Sequence, residues 1–371
     1  MGISAATAAA ALGLGARCGV VSAAEVRLAA VRAPRALRIL ILGGTSFLGP
    51  HQIRHALERG HTVSVFNRGT TRPRLYGELF GQVEHLEGDR GGDLGVLQGR
   101  TWDVVIDNSG QNADWVRASA DLLANAARTY LFVSSTGVFY PYHMVGITEA
   151  VEPRLVDDPP ADPPSYGVMK ARSEREVRRA FGDRALIIRP NYIVGPGDTT
   201  DRFPYWPVRI AKGGEVLVPG GHEDPVQFID VRDLTEWMFR MIEDGRAGTY
   251  NAAGPFPRQA TIGEMVHGIR AVTTAQTDWV WIDDYDFLSE MRLRAMVPWV
   301  MPRGNSFGHT RINYDLAVAS GLTFRPLAVT VRDTLEWWSS EAVPAERRAK
   351  PGFALTSERE KEIIAAWRER R

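Results

Sequence analysis

The stretch "LRILILGGTSFLG" (residues 37–49) joins a short apolar run to a glycine-rich turn. A continuous apolar run that ends in glycines is typical of a strand buried on both faces of a parallel sheet. The next segment, "PHQIRHALERG" (50–60), has apolar residues at helical spacing, with Pro50 near its start and Gly60 at its end. The sequence here therefore predicts a strand, a tight turn and a helix in succession, the opening unit of an α/β fold.

The turn itself carries Gly43, Gly44 and Gly49. Glycine permits positive φ and leaves room for a ligand to approach the backbone. The helix that follows offers free N–H groups and a positive dipole to a phosphate group. A dinucleotide-binding loop would normally place its middle glycine where this chain has Ser46. Taken alone, the turn is either a loop for a dinucleotide pyrophosphate or a plain strand-to-helix connection.

Strand-like and helix-like segments alternate after this unit. The strand-like segments are "HTVSVF" (61–66), "VEHLEG" (83–88), "WDVVID" (102–107), "TYLFVSS" (129–135) and "ALIIRP" (185–190), and a helix is predicted at 113–127. Alternation of this kind implies right-handed βαβ crossovers. The predicted fold class is therefore α/β, a Rossmann-type doubly wound parallel sheet.

Beyond Pro190 the chain becomes richer in proline, glycine and aromatic residues, which suits a smaller lobe over the carboxyl edge of the sheet. We expect a leader at 1–33, an NAD(P)-binding Rossmann domain at 34–190, and a substrate-binding lobe at 191–345 that is interleaved with the last sheet strands. A C-terminal helical tail is expected at 346–371, with its helix at 357–370 opened by Ser357.

Composition narrows the class of protein. Of 371 residues, 44% are hydrophobic and 24% are charged, as in a globular enzyme with a sizeable core. Lys+Arg and Asp+Glu both number 44, so no basic bias favours nucleic acid, and no nucleic-acid partner is expected. Cys18 is the single cysteine, which excludes disulfides and cysteine-rich metal sites. The eight histidines show no HExxH-like pairing, so no metal is expected.

The segment "VFNRG" bears on the choice of nucleotide. It places Asn67 and Arg68 at the end of the second strand, where dinucleotide folds specific for NAD usually carry Asp or Glu. No carboxylate here would repel a 2′-phosphate, and a guanidinium can grip one. The expected cofactor is therefore NAD(P), with NADP favoured. Arg72 and Arg74 follow, and the alternative for these two residues is a solvated basic loop with no role in nucleotide binding.

The segment "SYGVMK" (165–170) carries the chemistry. Tyr166 and Lys170 are four residues apart in a helical pattern, which places both side chains on one face. A lysine ammonium, with the positive charge of an oxidised nicotinamide, would lower a tyrosine pKa from about 10 toward the working pH. Such a tyrosine exchanges a hydroxyl proton while hydride moves to or from the nicotinamide.

Three hydroxyl side chains stand upstream, where "LFVSSTGVFY" (131–140) leaves a strand at its carboxyl end. They are Ser134, Ser135 and Thr136, and we expect them to face the same cleft. One of these hydroxyls could hydrogen-bond the reacting oxygen of a substrate.

The motifs resemble, in order, those of the extended short-chain dehydrogenases/reductases, the NAD-dependent epimerase/dehydratase group. They are "GGTSFLG", "GDR", "VSSTGVF", "YGVMK", "RPNYIVGPGD" and "FIDVRDL", and the resemblance covers about 37–335. It implies that Tyr166 is the catalytic acid/base, Lys170 the partner that lowers its pKa, and Ser135 the hydroxyl partner.

The resemblance and the motifs together yield two further sets of residues. The cofactor-binding set is Gly43, Thr45, Ser46, Phe47, Leu48, Gly49, Asn67, Arg68, Asp89, Arg90, Asn108, Ser109, Gly110, Ser134, Tyr166, Lys170, Pro190 and Asn191. The substrate set is Ser135, Thr136, Asn191, Arg202, Phe203 and Arg303. Phe203 is an alternative between substrate stacking and lobe core, and core is the more common role for such an aromatic residue.

One departure from the family pattern concerns the substrate. The family often has an arginine for a sugar-nucleotide diphosphate where this chain has Val226, and Asp230 stands in place of a histidine. A diphosphate needs cationic partners, so an ordinary UDP-sugar is disfavoured unless Arg303, Arg202 or Arg232 compensates. Arg232 is the one that we expect to be a pairing arginine instead.

The sequence predicts an NAD(P)-dependent oxidoreductase or isomerase that acts on a sugar or nucleotide-sugar. The alternatives are a simple NADPH-dependent carbonyl reductase, or a non-catalytic nucleotide-sensing or RNA-associated protein on the same fold. A homodimer is the default, because family members often pair through the helix that carries the catalytic tyrosine.

The leader at 1–33 is small, apolar and free of charge until Arg17, like an export signal without its basic start. A disordered leader is the equal alternative, and the segment is too short and too rich in Ala and Gly to span a membrane. Cytoplasmic location is favoured, because an enzyme of this kind could be exported only after folding around its cofactor.

Overall fold

The computed structural model describes residues 32–108, 110, 112–255 and 259–371. The strands are β1 Arg38–Leu42, β2 Thr62–Asn67, β3 Glu84–Glu87, β4 Trp102–Asp107, β5 Ala127–Val133, β6 Ala185–Pro190, β7 Tyr192–Val194, β8 Gly214–Pro219, β9 Pro225–Val226, β10 Phe228–Asp230, β11 Gly248–Ala252, β12 Ala260–Thr261, β13 Thr277–Ile282, β14 Ala295–Met296 and β15 Trp299–Val300. The predicted leader falls outside the described residues up to position 31.

The helices are α1 Leu48–Arg59, α2 Ala113–Leu123, α3 Tyr166–Phe181, α4 Tyr205–Lys212, α5 Val231–Glu243, α6 Ile262–Arg270, α7 Tyr285–Glu290, α8 Asp315–Ala319, α9 Leu327–Ser339, α10 Ala345–Ala349 and α11 Ser357–Arg370. In the portions of the chain that the structure describes, none of these helices is long and apolar enough to cross a membrane.

The main sheet has seven strands in the order β11-β6-β5-β4-β1-β2-β3. Every neighbouring pair is parallel. From β1 the chain moves outward through β2 and β3, then crosses back to β4 on the other side of β1. Ligands of open α/β sheets bind beyond the carboxyl ends of the strands at such a reversal. The prediction of an α/β doubly wound parallel sheet is confirmed.

Helices cover both faces of this sheet. On one face, Ile53 of α1 and Trp237 of α5 are buried in one apolar cluster with β1. On the other, Val116 of α2 and Val177 of α3 are buried with β5 in a second cluster. Because both faces are covered, the strands are apolar on both sides, which explains the continuous apolar runs in the sequence.

The segment after β6 builds smaller sheets around a third core. β8 pairs with β13, β7 pairs with β10, and β9, β12, β14 and β15 form a four-stranded sheet. Trp206 and Trp299 are fully buried in this core. Residues 248–252, within the predicted lobe, return to the main sheet as β11 beside β6.

Element boundaries depart from the predicted ones where local capping decides. The helix predicted at 113–127 ends at Leu123, because the chain turns so that Ala127 can pair with Trp102 in the sheet. α11 ends at Arg370 as expected, but its cap is Thr356, whose side chain accepts from the Arg359 N–H, and not Ser357.

His51 on α1 links the first helix to the segment after β7. Its side chain is 3% exposed, and its Nε2 lies 2.8 Å from the Pro196 carbonyl oxygen. Burial lowers the pKa of His51 to about 4. A neutral, buried imidazole is therefore part of the native state.

We expect His51 to make the fold acid-sensitive. Its folded pKa is below the unfolded value of about 6.5, so its stabilising effect is complete above that value and is lost as the pH falls toward 4. Between pH 7 and pH 5 the loss should be on the order of 2 kcal/mol of unfolding free energy. His51→Gln, whose amide can still donate to Pro196, should lack that loss in urea titrations at the two pH values.

The exposed His143 supplies the control, because His143→Gln should lose as much stability as the parent. Equal losses in the parent and His51→Gln would contradict the role assigned to His51.

Candidate active site

The glycine turn packs so tightly that a side chain would not fit at Gly49. A Cβ there would lie 2.2 Å from the Gly44 carbonyl oxygen, so the first turn of α1 rests directly on the loop. The Gly49 N–H donates to the Ser46 carbonyl at 2.8 Å, and the Gly43 N–H donates to the Phe66 carbonyl at 3.0 Å. The loop is thus fixed to β2 at one end and closed on itself at the other.

The loop lines a cleft of about 660 Å³, here called the loop cleft. It brings together these predicted residues: Gly43, Thr45, Ser46, Phe47, Leu48, Gly49, Asn67, Arg68, Asp89, Arg90 and Asn108. It also contains Phe66, Thr70, Thr71, Gly88 and Trp115, which the sequence did not single out. Trp115 lies in the first turn of α2, just after β4, and its position at that strand end was the available signal.

The loop cleft fits the pyrophosphate of a dinucleotide. The glycine cradle leaves backbone exposed to a ligand, and the first turn of α1 carries no acidic side chain that would repel an anion. Ser46 is exposed at the turn, with its hydroxyl side chain bordering the cleft. At the far end, Asn67 Oδ1 accepts from the Gly69 N–H at 2.7 Å, which orders the turn that carries Arg68.

Asp89 and Arg90 have different surroundings. Asp89 is exposed, and its Oδ1 accepts from the Gly91 N–H at 2.7 Å. The Arg90 guanidinium turns inward to Asp107, with Nη2 2.9 Å from Oδ2 of that fully buried carboxylate. Arg90 therefore borders the cleft while its charge is paired inside the fold.

The residues predicted after β4 also differ. The Asn108 side chain forms a reciprocal amide pair with Gln52 of α1, at 3.0 and 2.6 Å, so it braces α1 against β4. Gly110 packs against the Phe132 ring and lines neither cleft of this site. Ser109 lies outside the described residues.

A second cleft, of about 520 Å³, adjoins the first and is here called the tyrosine cleft. The two clefts share Phe47, Leu48 and Asn108, so they form one groove. The predicted residues in it are Ser134, Ser135, Thr136, Tyr166, Lys170, Pro190, Asn191 and Arg202. The unpredicted ones are Val133, Gly137, Tyr142, Tyr192, Ile193 and His309.

Tyr166 is the first residue of α3, seated directly on the turn that follows β5. A Cβ at Gly167 would lie 2.2 Å from the Gly137 carbonyl oxygen, so only glycine allows this approach. Ser165 caps the helix, and its hydroxyl accepts from the Val168 N–H at 3.4 Å. The seating brings the Tyr166 ring beside Ser135, whose hydroxyl accepts from the Gly137 N–H at 3.0 Å.

The cation whose charge lowers the pKa of Tyr166 in this structure is Arg202. Desolvation raises the pKa of Tyr166, and a hydrogen bond from Ser135 and the charge of Arg202 oppose that rise. Lys170 Nζ lies 5.9 Å from the Tyr166 ring centroid and donates to the Val133 carbonyl at 2.9 Å. The Val133 carbonyl thus holds the Lys170 ammonium, and the lowering of the tyrosine pKa by Lys170 stays a prediction.

Lys170 is itself a buried amine. Burial lowers its pKa to about 8, against the attraction of the Asp107 and Glu174 carboxylates. Its ammonium also lies 4.9 Å from the Phe132 ring centroid. Near neutral pH the group is largely protonated and poised to change charge a little above.

Ser134 belongs to a buried ion pair. Its hydroxyl donates to Glu174 Oε1 at 2.6 Å, and Arg189 donates to both oxygens of the same carboxylate, at 2.9 and 2.7 Å. Glu174 and Arg189 are 0% and 1% exposed. The serine and the arginine of the "RPNY" segment thus join β5, β6 and α3 through one carboxylate.

Of the remaining predicted substrate residues, one lines the tyrosine cleft and two lie elsewhere. Asn191 lines the tyrosine cleft, but its amide is engaged with Gln227 and the His309 carbonyl, at 3.2 and 3.3 Å. Phe203 is fully buried against Phe228 in the lobe core, so the prediction that it contacts substrate is wrong. Arg303 pairs with an exposed carboxylate, that of Asp286, and lines no part of the groove.

Arg232 is a pairing arginine, as expected. It pairs with Asp230 at 2.7 Å and also with Asp333. Its guanidinium is therefore neutralised by these two carboxylates. For the described residues, no group of His, Cys, Asp and Glu side chains is arranged to hold a metal ion.

Comparison with known proteins finds a family model, curated relatives and solved structures to which this chain is similar. Residues 102–253 match the sequence profile of the NAD dependent epimerase/dehydratase family. The Arabidopsis thaliana chloroplast stem-loop binding protein of 41 kDa b is 28% identical over 231 residues, an alignment that spans 58% of each chain. The dTDP-4-dehydro-6-deoxy-D-allose reductase of Streptomyces bikiniensis is 26% identical over 268 residues, covering 63% of this chain and 80% of that one.

A solved structure, that of MoeE5 in complex with UDP-glucuronic acid and NAD, is similar with a TM-score of 0.57. It is 17% identical, and the match covers 84% of this chain and 99% of that chain. At this identity the likeness establishes the shared fold.

We expect the buried Glu174–Arg189 ion pair to contribute more to the free energy of unfolding than the neighbouring contact of Glu174 with the exposed Arg178. Glu174→Gln leaves the Arg189 guanidinium buried without its counter-charge, which should destabilise the protein by about 3 kcal/mol in urea denaturation. The matched control is Arg178→Ala. Arg178 approaches the same carboxylate at 3.3 Å from a position 41% exposed, and its loss should cost less than about 1 kcal/mol. Similar losses for the two variants would refute the distinction.

Proposed function

Because residues 102–253 match the model of the NAD dependent epimerase/dehydratase family, we propose that this chain is a distant member of that family and an NAD(P)-dependent enzyme of hydride transfer. The site of reaction is a hydroxyl or keto group on a sugar or nucleotide-sugar. The family consists largely of NAD(P)-dependent enzymes, and relatives of the same fold include one in complex with NAD.

The observation that carries the proposal is the continuity of the groove. The loop cleft, which fits the pyrophosphate of a dinucleotide, is continuous with the tyrosine cleft, and the two share Phe47, Leu48 and Asn108. Ser135 and Tyr166 stand together at its far end. A nucleotide bound along the groove would supply a nicotinamide that accepts or gives hydride.

The side chains have separate roles in this proposal. The Tyr166 hydroxyl takes a proton from the substrate hydroxyl or returns one to the carbonyl oxygen. Ser135 donates a hydrogen bond at the same oxygen and favours the phenolate form of the tyrosine. Lys170, held by the Val133 carbonyl, places a positive charge beneath the site. The backbone N–H groups of the loop and of α1 hold the pyrophosphate.

Two outcomes of the same chemistry differ in the fate of the nucleotide. An epimerase must keep it through two hydride steps, whereas a reductase releases it after one. The allose reductase among the relatives supports the simple reductase as the second candidate. Nucleotide released on denaturing the purified protein separates the two, because tightly held NAD favours an epimerase and an empty site favours a reductase.

We expect Tyr166→Phe to lower kcat by roughly 100- to 10,000-fold while nucleotide affinity changes little, because the variant removes only the proton-transferring hydroxyl. Activity is followed as a change in NAD(P)H absorbance with a panel of sugars and nucleotide-sugars, and affinity by nucleotide titration. Tyr250→Phe is the control, since the Tyr250 hydroxyl bonds the Ala247 carbonyl at the sheet edge. A Tyr166→Phe variant as active as the parent would remove the tyrosine from the mechanism.

NADP over NAD is the finer proposal for the nucleotide. Arg68 is exposed at the edge of the loop cleft, and it makes no ion pair with any carboxylate of the described chain. The Glu87 carboxylate lies against Gly69 but does not line the cleft. A guanidinium in this place suits a 2′-phosphate.

Arg68→Gln should therefore raise the KM for NADPH roughly 10- to 100-fold and leave the KM for NADH unchanged, because charge-assisted hydrogen bonds contribute about 1.5–3 kcal/mol. Arg74→Gln is the matched control, since Arg74 borders a neighbouring cleft and not the loop cleft. A parent enzyme that prefers NADH, or equal effects on both nucleotides, would favour NAD instead.

A nucleic-acid partner is the remaining alternative, and the stem-loop binding relative supports it. The expectation of no nucleic-acid partner, which rested on balanced charge, finds no support in that comparison. Binding of a stem-loop RNA that weakens steeply with salt, without turnover of any sugar, would favour this reading over the enzyme.

A further inference from the structure

The tyrosine cleft contains one cation that is available to a ligand. Its charged residues are Lys170 and Arg202, and its described lining carries no carboxylate. Lys170 is 4% exposed and donates to the Val133 carbonyl, whereas Arg202 is exposed. A cleft of this composition is positive in sign and attracts an anion.

The Arg202 side chain is oriented by its neighbours. Its Nε donates to Thr200 Oγ1 at 3.0 Å, and Thr200 Oγ1 in turn donates to Asp198 Oδ1 at 2.6 Å. The guanidinium lies 5.5 Å from the Tyr192 ring centroid. With Nε bonded to Thr200, the two terminal nitrogens bond to none of the described residues and form the fork that binds a carboxylate or phosphate.

The arginine also lies within electrostatic reach of the catalytic hydroxyl. Its charge lowers the pKa of Tyr166 against the effect of desolvation, and it does the same for Tyr192. An anion bound to Arg202 would therefore lie close to the carbon that reacts beside Tyr166.

Other cations do not supplement it. Arg303 and Arg232 are paired elsewhere, and Val226 is fully buried in β9, so no cation comes from that position. His309 stacks on Tyr142 with ring centroids 4.3 Å apart, and burial lowers the pKa of His309 to about 4. The histidine is neutral at physiological pH and forms an aromatic wall.

From this arrangement we propose that the substrate is a small hydroxy or oxo compound with one compact anionic group, a carboxylate or a phosphate monoester, bound by Arg202. The inference rests on the proposed hydride-transfer function and sharpens its substrate class. A nucleoside diphosphate carries two adjacent phosphates and calls for several cations, whereas the described lining offers one. The aromatic rings of Tyr142, Tyr192 and His309 then bound the uncharged part of the substrate.

The test compares matched compounds on the full chain. Glucuronate and glucose 6-phosphate represent the two sources of the anion, glucose is their neutral counterpart, and UDP-glucose carries the diphosphate. Together with a panel of short-chain 2- and 3-oxo acids and the corresponding ketones, they are assayed with NADP(H) and NAD(H). The highest kcat/KM should belong to a carboxylate or a phosphate monoester, and the preference between these two identifies the source of the anion.

Arg202→Gln should then raise the KM for that anion roughly 10- to 100-fold, with a smaller effect on kcat and none on a neutral analogue. Arg202→Lys should recover part of the affinity through its charge. Arg303→Gln is the control, because that arginine pairs with Asp286 away from the groove. A highest kcat/KM for a neutral sugar or UDP-glucose, or a KM indifferent to Arg202→Gln, overturns the proposal.

A binding measurement keeps this outcome separate from failure of the proposed function. Calorimetry with Tyr166→Phe, with each nucleotide present, should still detect the anionic compounds and lose them in the Tyr166→Phe, Arg202→Gln double variant. Anion binding of this kind without turnover by the parent would refute hydride transfer while supporting the anion site. Absence of any binding that depends on Arg202 would refute the anion site itself.

Discussion

The carboxylate of Glu174 is the point on which the site depends. It is fully buried and joins three elements, because Ser134 at the end of β5 and Arg189 on β6 both donate to this carboxylate of α3. A buried charge is tolerated only where it is paired and hydrogen-bonded, and here one partner of the carboxylate, Ser134, also lines the tyrosine cleft. The pair therefore fixes the ends of two strands relative to the helix that carries the tyrosine.

The exposure of the functional side chains decreases along α3. Tyr166, Lys170 and Glu174 stand at intervals of four, so they share one helical face from the exposed first turn to the buried interior. The outer residue contacts the groove, the middle one lies beneath it, and the inner one holds the strands. Gly167 lets this face meet the turn after β5 at a distance that no other residue would allow.

Much of this architecture was readable from sequence because its signals are local. Strands buried on both faces appear as apolar runs, and the glycines and the tyrosine–lysine spacing mark their own positions on the fold. The charge partners were not readable. Lys170 was expected to act on Tyr166, but the sequence could not reveal that the Val133 carbonyl would hold its ammonium.

The substrate end of the groove was the least predictable part. Tyr142 and His309 come from two separate loops and Tyr192 from β7, and no periodicity connects them; only the fold brings their rings together. For Phe203 the sequence left two alternatives, substrate stacking and lobe core, and the structure supports the core. It lies one residue from Arg202, yet Phe203 is buried in the lobe core whereas Arg202 lines the tyrosine cleft.

The hydrogen bond between His51 and the Pro196 carbonyl has a consequence for how the two ends of the groove communicate. His51 lies on α1, whose first turn borders the loop cleft, and Pro196 begins the segment that leads to Arg202. A displacement of α1 by a bound nucleotide would be felt by the segment that carries the arginine. Whatever free energy couples the two sites acts equally in both directions, so a ligand that tightens at one end must tighten the other by the same factor.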